Sequence, residues 1–220
     1  MTKRYEMEYR AQPPKMDARD AAWWADVPAG LVDQVPWPRE DTGRRTEFRA
    51  AWCTDGLYLR YDCQDKFISA EARQTNDYVW MDSCVEFFVA PNPSKPLNYY
   101  NFEMNCAGTV LMGTHCDWAE GYRDRSQEIG ITVATTVPGP LKSESPDDDG
   151  WLLVARIPWK HFERDAVNLP PKPGDLWRAN FYRIGGRTEK QCATWSPINH
   201  PTPQFHLPQF FGEIVFAAGK

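Results

Sequence analysis

An all-β, antiparallel β-sandwich of jelly-roll-like form, with long loops and little helix, is the fold class that the sequence predicts, and three observations predict it. Apolar and polar residues alternate with period two in at least eight short segments. Clusters of Pro, Gly, Asn and Asp separate these segments. No stretch sustains a helical period, so helix should occupy under about a tenth of the chain against a usual third.

Residues 1–22 mix charges throughout and are read as an N-terminal segment that contributes at most an edge strand. Segments 47–53 and 57–62 flank Thr54, Asp55 and Gly56, turn residues that tolerate positive φ, and form a hairpin. Further strands are predicted at 85–89, 99–105, 109–112, 129–137, 151–157, 176–183 and 211–216. Residues 158–162 suit one helical turn, and 138–149 read as a solvated acidic loop. Neither repeat nor linker interrupts this order, so residues 1–220 are read as a single domain.

Composition narrows the function classes. A formal charge of −5 with scattered basic residues argues against tracking nucleic-acid phosphates. No segment is long and apolar enough to span a bilayer as a helix. Residues 1–22 contain no apolar run followed by small residues, so no secretory signal is read. A cytoplasmic location follows by default, or an extracellular or periplasmic one if a leader has been removed. Six cysteines are dispersed without a Cys-x-x-Cys pair and are expected to be reduced. Cys53 and Cys63 fall at the tip and base of one hairpin, too far apart to bridge. Ten Trp and nine Tyr stand out, since such rings serve cores first and stacking platforms second.

A polar face follows from the register of two strands. Val85, Phe87 and Val89 point one way, and Tyr100, Phe102 and Met104 form the apolar row of 99–105. Pairing Ala90 with Tyr99 sets Phe87 opposite Phe102 and Val85 opposite Met104, burying both rows together. Glu86 then faces Glu103 on the other side, and Phe88 faces Asn101, with Asn105 alongside. Two carboxylates directly across a ladder repel. Either Arg178 and Arg183 neutralise them on a solvated face, or Glu86, Glu103, Asn101 and Asn105 await a ligand rich in hydroxyls.

The run from Asp77 to Pro91, DYVWMDSCVEFFVAP, followed by YYNFEMNCAGT at 99–109, resembles the signature of family 9 carbohydrate-binding modules. GWLLVARIPW at 150–159, PGDLWRANFYRI at 173–184, WSP at 195–197 and FFG at 210–212 follow in that family's order, so the resemblance spans about 23–216. It implies a β-sandwich that binds glucans, xylans or their oligosaccharides by the reducing end, without catalysis and in association with glycoside hydrolases. It further implies that Trp80 and Trp195 sandwich the sugar while Glu86 binds its hydroxyls. The physics suits a pyranose, which has an apolar C–H face and a polar rim. Glu103 departs from the family, standing near where a basic contact is expected. If the strand from Val85 extends regularly back to Trp80, that ring shares the face of Glu86, with Asp82 between them.

Two other functions compete. A b-type haem module of related fold would draw axial ligands from Met104, Met112 and His115, although the register buries Met104. A hydrolase would need paired carboxylates, yet Asp82 and Glu86, four residues apart on a strand, lie about 13 Å apart, beyond the roughly 5 to 9.5 Å of a glycosidase pair. Glu86 with Glu103 remains open on distance. His115, His161, His200 and His206 sit in no nucleophile motif, though His200 and His206 lie in a Pro-rich loop near Trp195 that suits ligand contact. No cofactor is required; for a structural calcium ion, Asp62, Asp65 and Asp77 offer hard oxygen ligands near strand ends.

Overall fold

In the computed structural model, thirteen strands form one sheet folded over on itself as a sandwich, with only 3-10 turns for helix among the described residues, which are 2–37, 41–116, 119–123, 129–141 and 143–219. In chain order the strands are β1 (Arg4–Tyr9), β2 (Ala29–Val32), β3 (Thr46–Cys53), β4 (Gly56–Cys63), β5 (Cys84–Ala90), β6 (Tyr99–Asn105), β7 (Val110–Cys116), β8 (Ala119–Arg123), β9 (Thr132–Thr135), β10 (Trp151–Pro158), β11 (Leu176–Ile184), β12 (Cys192–Thr194) and β13 (Gly212–Ala217). Their spatial order is β8-β7-β6-β5-β11-β13-β1-β3-β4-β10-β9, with β12 beside β11 and β2 beside β3.

Side-chain alternation dictates how the sheet folds. Phe87, Phe102 and Phe181 from β5, β6 and β11 face Phe48, Leu59 and Tyr61 from β3 and β4 in one core. Phe48 stacks on Phe181 at 3.7 Å between ring centroids, 16° from parallel, which locks the two layers. The 3–4 hairpin turns where Thr54, Asp55 and Gly56 predict it, and a 3-10 turn at Trp159–Phe162 fills the predicted helical turn.

The N-terminal segment is central rather than peripheral. Strand β1 lies between β13 and β3, parallel to both, because Tyr5 and Met7 alternate inward between charged neighbours. The loop at 138–149, of which residue 142 lies outside the described residues, is tied down rather than merely solvated: Asp148 accepts the amides of Ile68 at 2.7 Å and Ser145 at 3.2 Å. All six cysteines are free thiols, and burial pushes the Cys63 thiol up to about 12, where it is unreactive. No helix among the described residues is long and apolar enough to cross a membrane.

Candidate functional site

The register of β5 and β6 is the one the apolar rows select: Val85 with Met104, Glu86 with Glu103, Phe87 with Phe102 and Phe88 with Asn101. On the face away from the core, two small apolar clusters roof the sheet. Val79, Cys84 and Leu111 pack at one end. Phe88, Tyr99, Tyr182, Ile198, Phe205 and Phe211 pack at the other. The glutamates occupy the gap between these roofs.

That gap is a cleft of about 490 Å³. Glu86 and Glu103 form its floor, 2% and 3% exposed. Trp80 and Met81 line one wall, Gly185 to Arg187 and Lys190 to Cys192 another, and Pro203 to His206 a third. Burial raises the Glu86 carboxyl well above the usual carboxylate range, and the charge of Glu103 across the ladder adds to the rise. Asn101 donates to Glu103 Oε1 at 2.8 Å while its own Oδ1 meets His115 Nε2 at 2.9 Å, so it orients Glu103 from behind.

Trp80 reaches this cleft by a route the strand parity does not describe. Val79–Met81 is a 3-10 turn, and β5 begins only at Cys84. Asp82 turns away from the cleft. Its carboxylate accepts the amides of Glu71 at 3.0 Å and Ala72 at 2.9 Å and the Asn105 side chain at 2.9 Å. These bonds hold the turn, and with it Trp80, at the cleft edge. Asn105 therefore supports the turn and does not line the cleft.

Trp195 is placed elsewhere. It is 3% exposed in the main core, edge-on to Phe48 at 5.9 Å and Phe181 at 5.7 Å. Gly212 lies so close that a Cβ there would stand 2.5 Å from its ring. Trp195 is a packing residue, and among the described residues Trp80 is the tryptophan that lines the cleft.

Arg178 and Arg183 neutralise neither glutamate. Arg178 donates to the Phe211 carbonyl. Arg183 lies on the opposite face, where it pairs with Asp65. Asp65 is thereby committed to an arginine, Asp77 accepts the amides of Arg73 and Gln74, and Asp62 is exposed, so the three aspartates nominated for calcium are not gathered. Among the described residues no cluster of three or more metal-ligating side chains forms. Met104 and Met112 point into the core whereas His115 stacks on Tyr99 at 4.3 Å on the other face, so the three do not assemble as haem ligands.

The second wall comes from a loop. Gly185 and Gly186 follow β11 directly, and a Cβ on Gly186 would collide with the Phe67 carbonyl and the Glu144 carboxylate. Glu144 in turn accepts the amides of Arg187 at 2.6 Å and Thr188 at 2.9 Å. This brings Arg187, Lys190 and Gln191 to the cleft. The adjacent glycines after a strand were the signal for this close approach. His206 also lines the cleft, its Nδ1 3.0 Å from the Tyr99 hydroxyl, whereas His200 does not.

The sequence model of carbohydrate-binding family 9, a non-catalytic family, matches residues 17–216. No curated protein matches the chain. A putative carbohydrate-binding protein from Bacteroides uniformis is 28% identical and superposes with a TM-score of 0.86 over 98% of this chain and 100% of its own. A family 9 module from Caldicellulosiruptor kristjanssonii in complex with cellotriose is 15% identical, with a TM-score of 0.67 over 99% and 95% of the two chains. The glucose complex of such a module from the same organism is 16% identical, with a TM-score of 0.64 over 99% and 97%. The last two show likeness of fold.

Proposed function

From the premise that this chain belongs to carbohydrate-binding family 9, we propose that it binds the reducing-end unit of a plant-type glucan or xylan oligosaccharide in the cleft, without cleaving it. The C–H face of the terminal pyranose lies on the Trp80 ring, and its hydroxyls donate to Glu86 and Glu103. One observation carries the reading: an indole exposed to 42% stands beside two carboxylates exposed to 2% and 3% in the same cleft. Donors that approach a pair of like charges relieve their repulsion, so hydroxyls are a favoured occupant. The loop residues Arg187, Lys190 and Gln191 supply further polar contacts.

The same geometry argues against hydrolysis. Glu86 and Glu103 lie side by side on one floor, beneath a sugar rather than on either side of its anomeric carbon, where acid and nucleophile or base must stand. Asp82 is committed to backbone amides.

Calorimetric titration with glucose, cellotriose, xylotriose and borohydride-reduced cellotriose tests the proposal. Binding of the intact trisaccharides, with loss when the end ring is opened to the alditol, is the expected result. Equal affinity for intact and reduced cellotriose would refute reducing-end recognition, and release of new reducing ends during incubation would refute the absence of catalysis.

A further inference from the structure

Six large apolar side chains stand exposed among the described residues: Leu31, Tyr78, Trp80, Met81, Leu97 and Val167. Three of the six fall within four consecutive residues at the cleft edge, a concentration that marks a contact surface. Tyr78 is 56% exposed, more than Trp80, and does not line the cleft. Its ring lies beyond that of Trp80, 5.9 Å away between centroids and inclined by 61°.

These rings cannot fold away from water. Val79 between them is fully buried, plugged against Cys84 and Leu111. On one side the Asp77 carboxylate accepts the amides of Arg73 at 3.0 Å and Gln74 at 2.8 Å. On the other, Asp82 is fixed by the amides of Glu71 and Ala72. A turn pinned at both ends thus presents two aromatic faces outward, which spares a ligand the entropy of ordering them.

We propose that Tyr78 forms a second saccharide subsite, stacking on the unit next to the one held in the cleft; the proposal rests on the sugar-binding function above. Continuity with Trp80 selects this occupant, because a chain leaving the indole on that side meets the phenol ring next. The 61° inclination adds a condition, since one flat sugar ribbon cannot lie on both rings at once. The two rings suit a soluble chain that twists between units, not the face of a crystalline fibre.

Titrating wild type, Tyr78→Ala and Tyr78→Phe with glucose and with cellotriose tests this, with thermal melts run alongside. Tyr78→Ala is expected to weaken cellotriose about tenfold, as loss of a stacked ring does, and to leave glucose affinity unchanged. Tyr78→Phe, which keeps the ring, should bind both sugars as wild type does. Tyr78→Leu gives the same readout as Tyr78→Ala should the alanine variant misfold. Wild-type affinity for cellotriose in the folded Ala or Leu variant overturns the subsite, and so does an equal loss for both sugars. If wild type binds neither sugar, it is the underlying function that fails.

Discussion

Two buried acidic sites lie on opposite faces of one layer of the sheet, with Arg183 of β11 turned to the core and Glu86 of β5 turned to the cleft, and they are treated in opposite ways. Asp65 sits 4% exposed against Arg183, and it also accepts the Trp151 indole at 2.9 Å. Arg183 also donates to the Cys84 carbonyl at 3.2 Å and lies over the Trp151 ring. Across the sheet, Glu86 is as deeply buried, but the charge directly opposite it is another carboxylate. The first site closes its electrostatics within the chain and is structure. The second sets two carboxylates across one rung at the floor of a cleft, with Asn101 donating to Glu103, where a ligand's hydroxyls can reach both.

Breaking the compensated site should have the largest effect. Arg183→Met strands the Asp65 charge in the core and should cost about 3 to 5 kcal/mol in urea denaturation, while sugar affinity of the folded protein stays unchanged. An Arg183→Met variant as stable as wild type would erase the distinction between the sites. Trp80→Ala should do the reverse, lowering sugar affinity by about 1 to 3 kcal/mol with no change in melting temperature, because the ring is already 42% exposed. A drop in melting temperature instead would make Trp80 a packing residue.

Glu86→Gln sharpens the comparison further, since it should weaken sugar binding yet stabilise the fold. If the relieved repulsion is about 1 kcal/mol, the melting temperature at pH 7 rises by roughly 2 to 4 °C. The sign follows from the raised carboxyl. Between the ordinary carboxylate range and the higher value in the folded protein, the native state holds a proton that the unfolded chain has lost, so stability falls as pH rises through that window. The variant should therefore flatten the decline that begins above the ordinary carboxylate range, and a wild-type profile that declines no more than the variant's would contradict the coupling. Asp165 works in the other direction: burial pushes its carboxyl up, but bonds from Tyr100, Asn98 and Arg164 outweigh this and hold it low, so its contribution is lost only on acidification. The smallest effect is expected at Glu144→Gln, which loosens the loop carrying Arg187 and Lys190; affinity should fall by about 0.5 to 1 kcal/mol, and an unchanged affinity would mean the loop holds its place without it.

The glutamate pair was legible in the sequence because two apolar rows of period two admit only one register, and the register carries the polar face with it. Trp195 was not, because it follows a three-residue strand too short to have a readable inward face. The edge of the cleft depends on contacts of still longer range. Asp65 and Arg183 are 118 residues apart, and Glu144 meets Thr188 across 44, distances at which no local pattern speaks. The N-terminal strand was read as an edge rather than a central strand for a different reason: the charged neighbours of Tyr5 and Met7 disguise an inward row of only two residues.

Strands β1 and β13 lie side by side and run in the same direction, Arg4 against Glu213 through Glu8 against Ala217. The polypeptide therefore enters at one end of this ladder and leaves at the other. Tension applied between the two ends pulls the strands lengthwise past each other and loads all their cross-strand bonds together, where an antiparallel hairpin pulled from its open end would peel one bond at a time. Separating these two strands lengthwise therefore requires their ladder to give way as a unit rather than bond by bond.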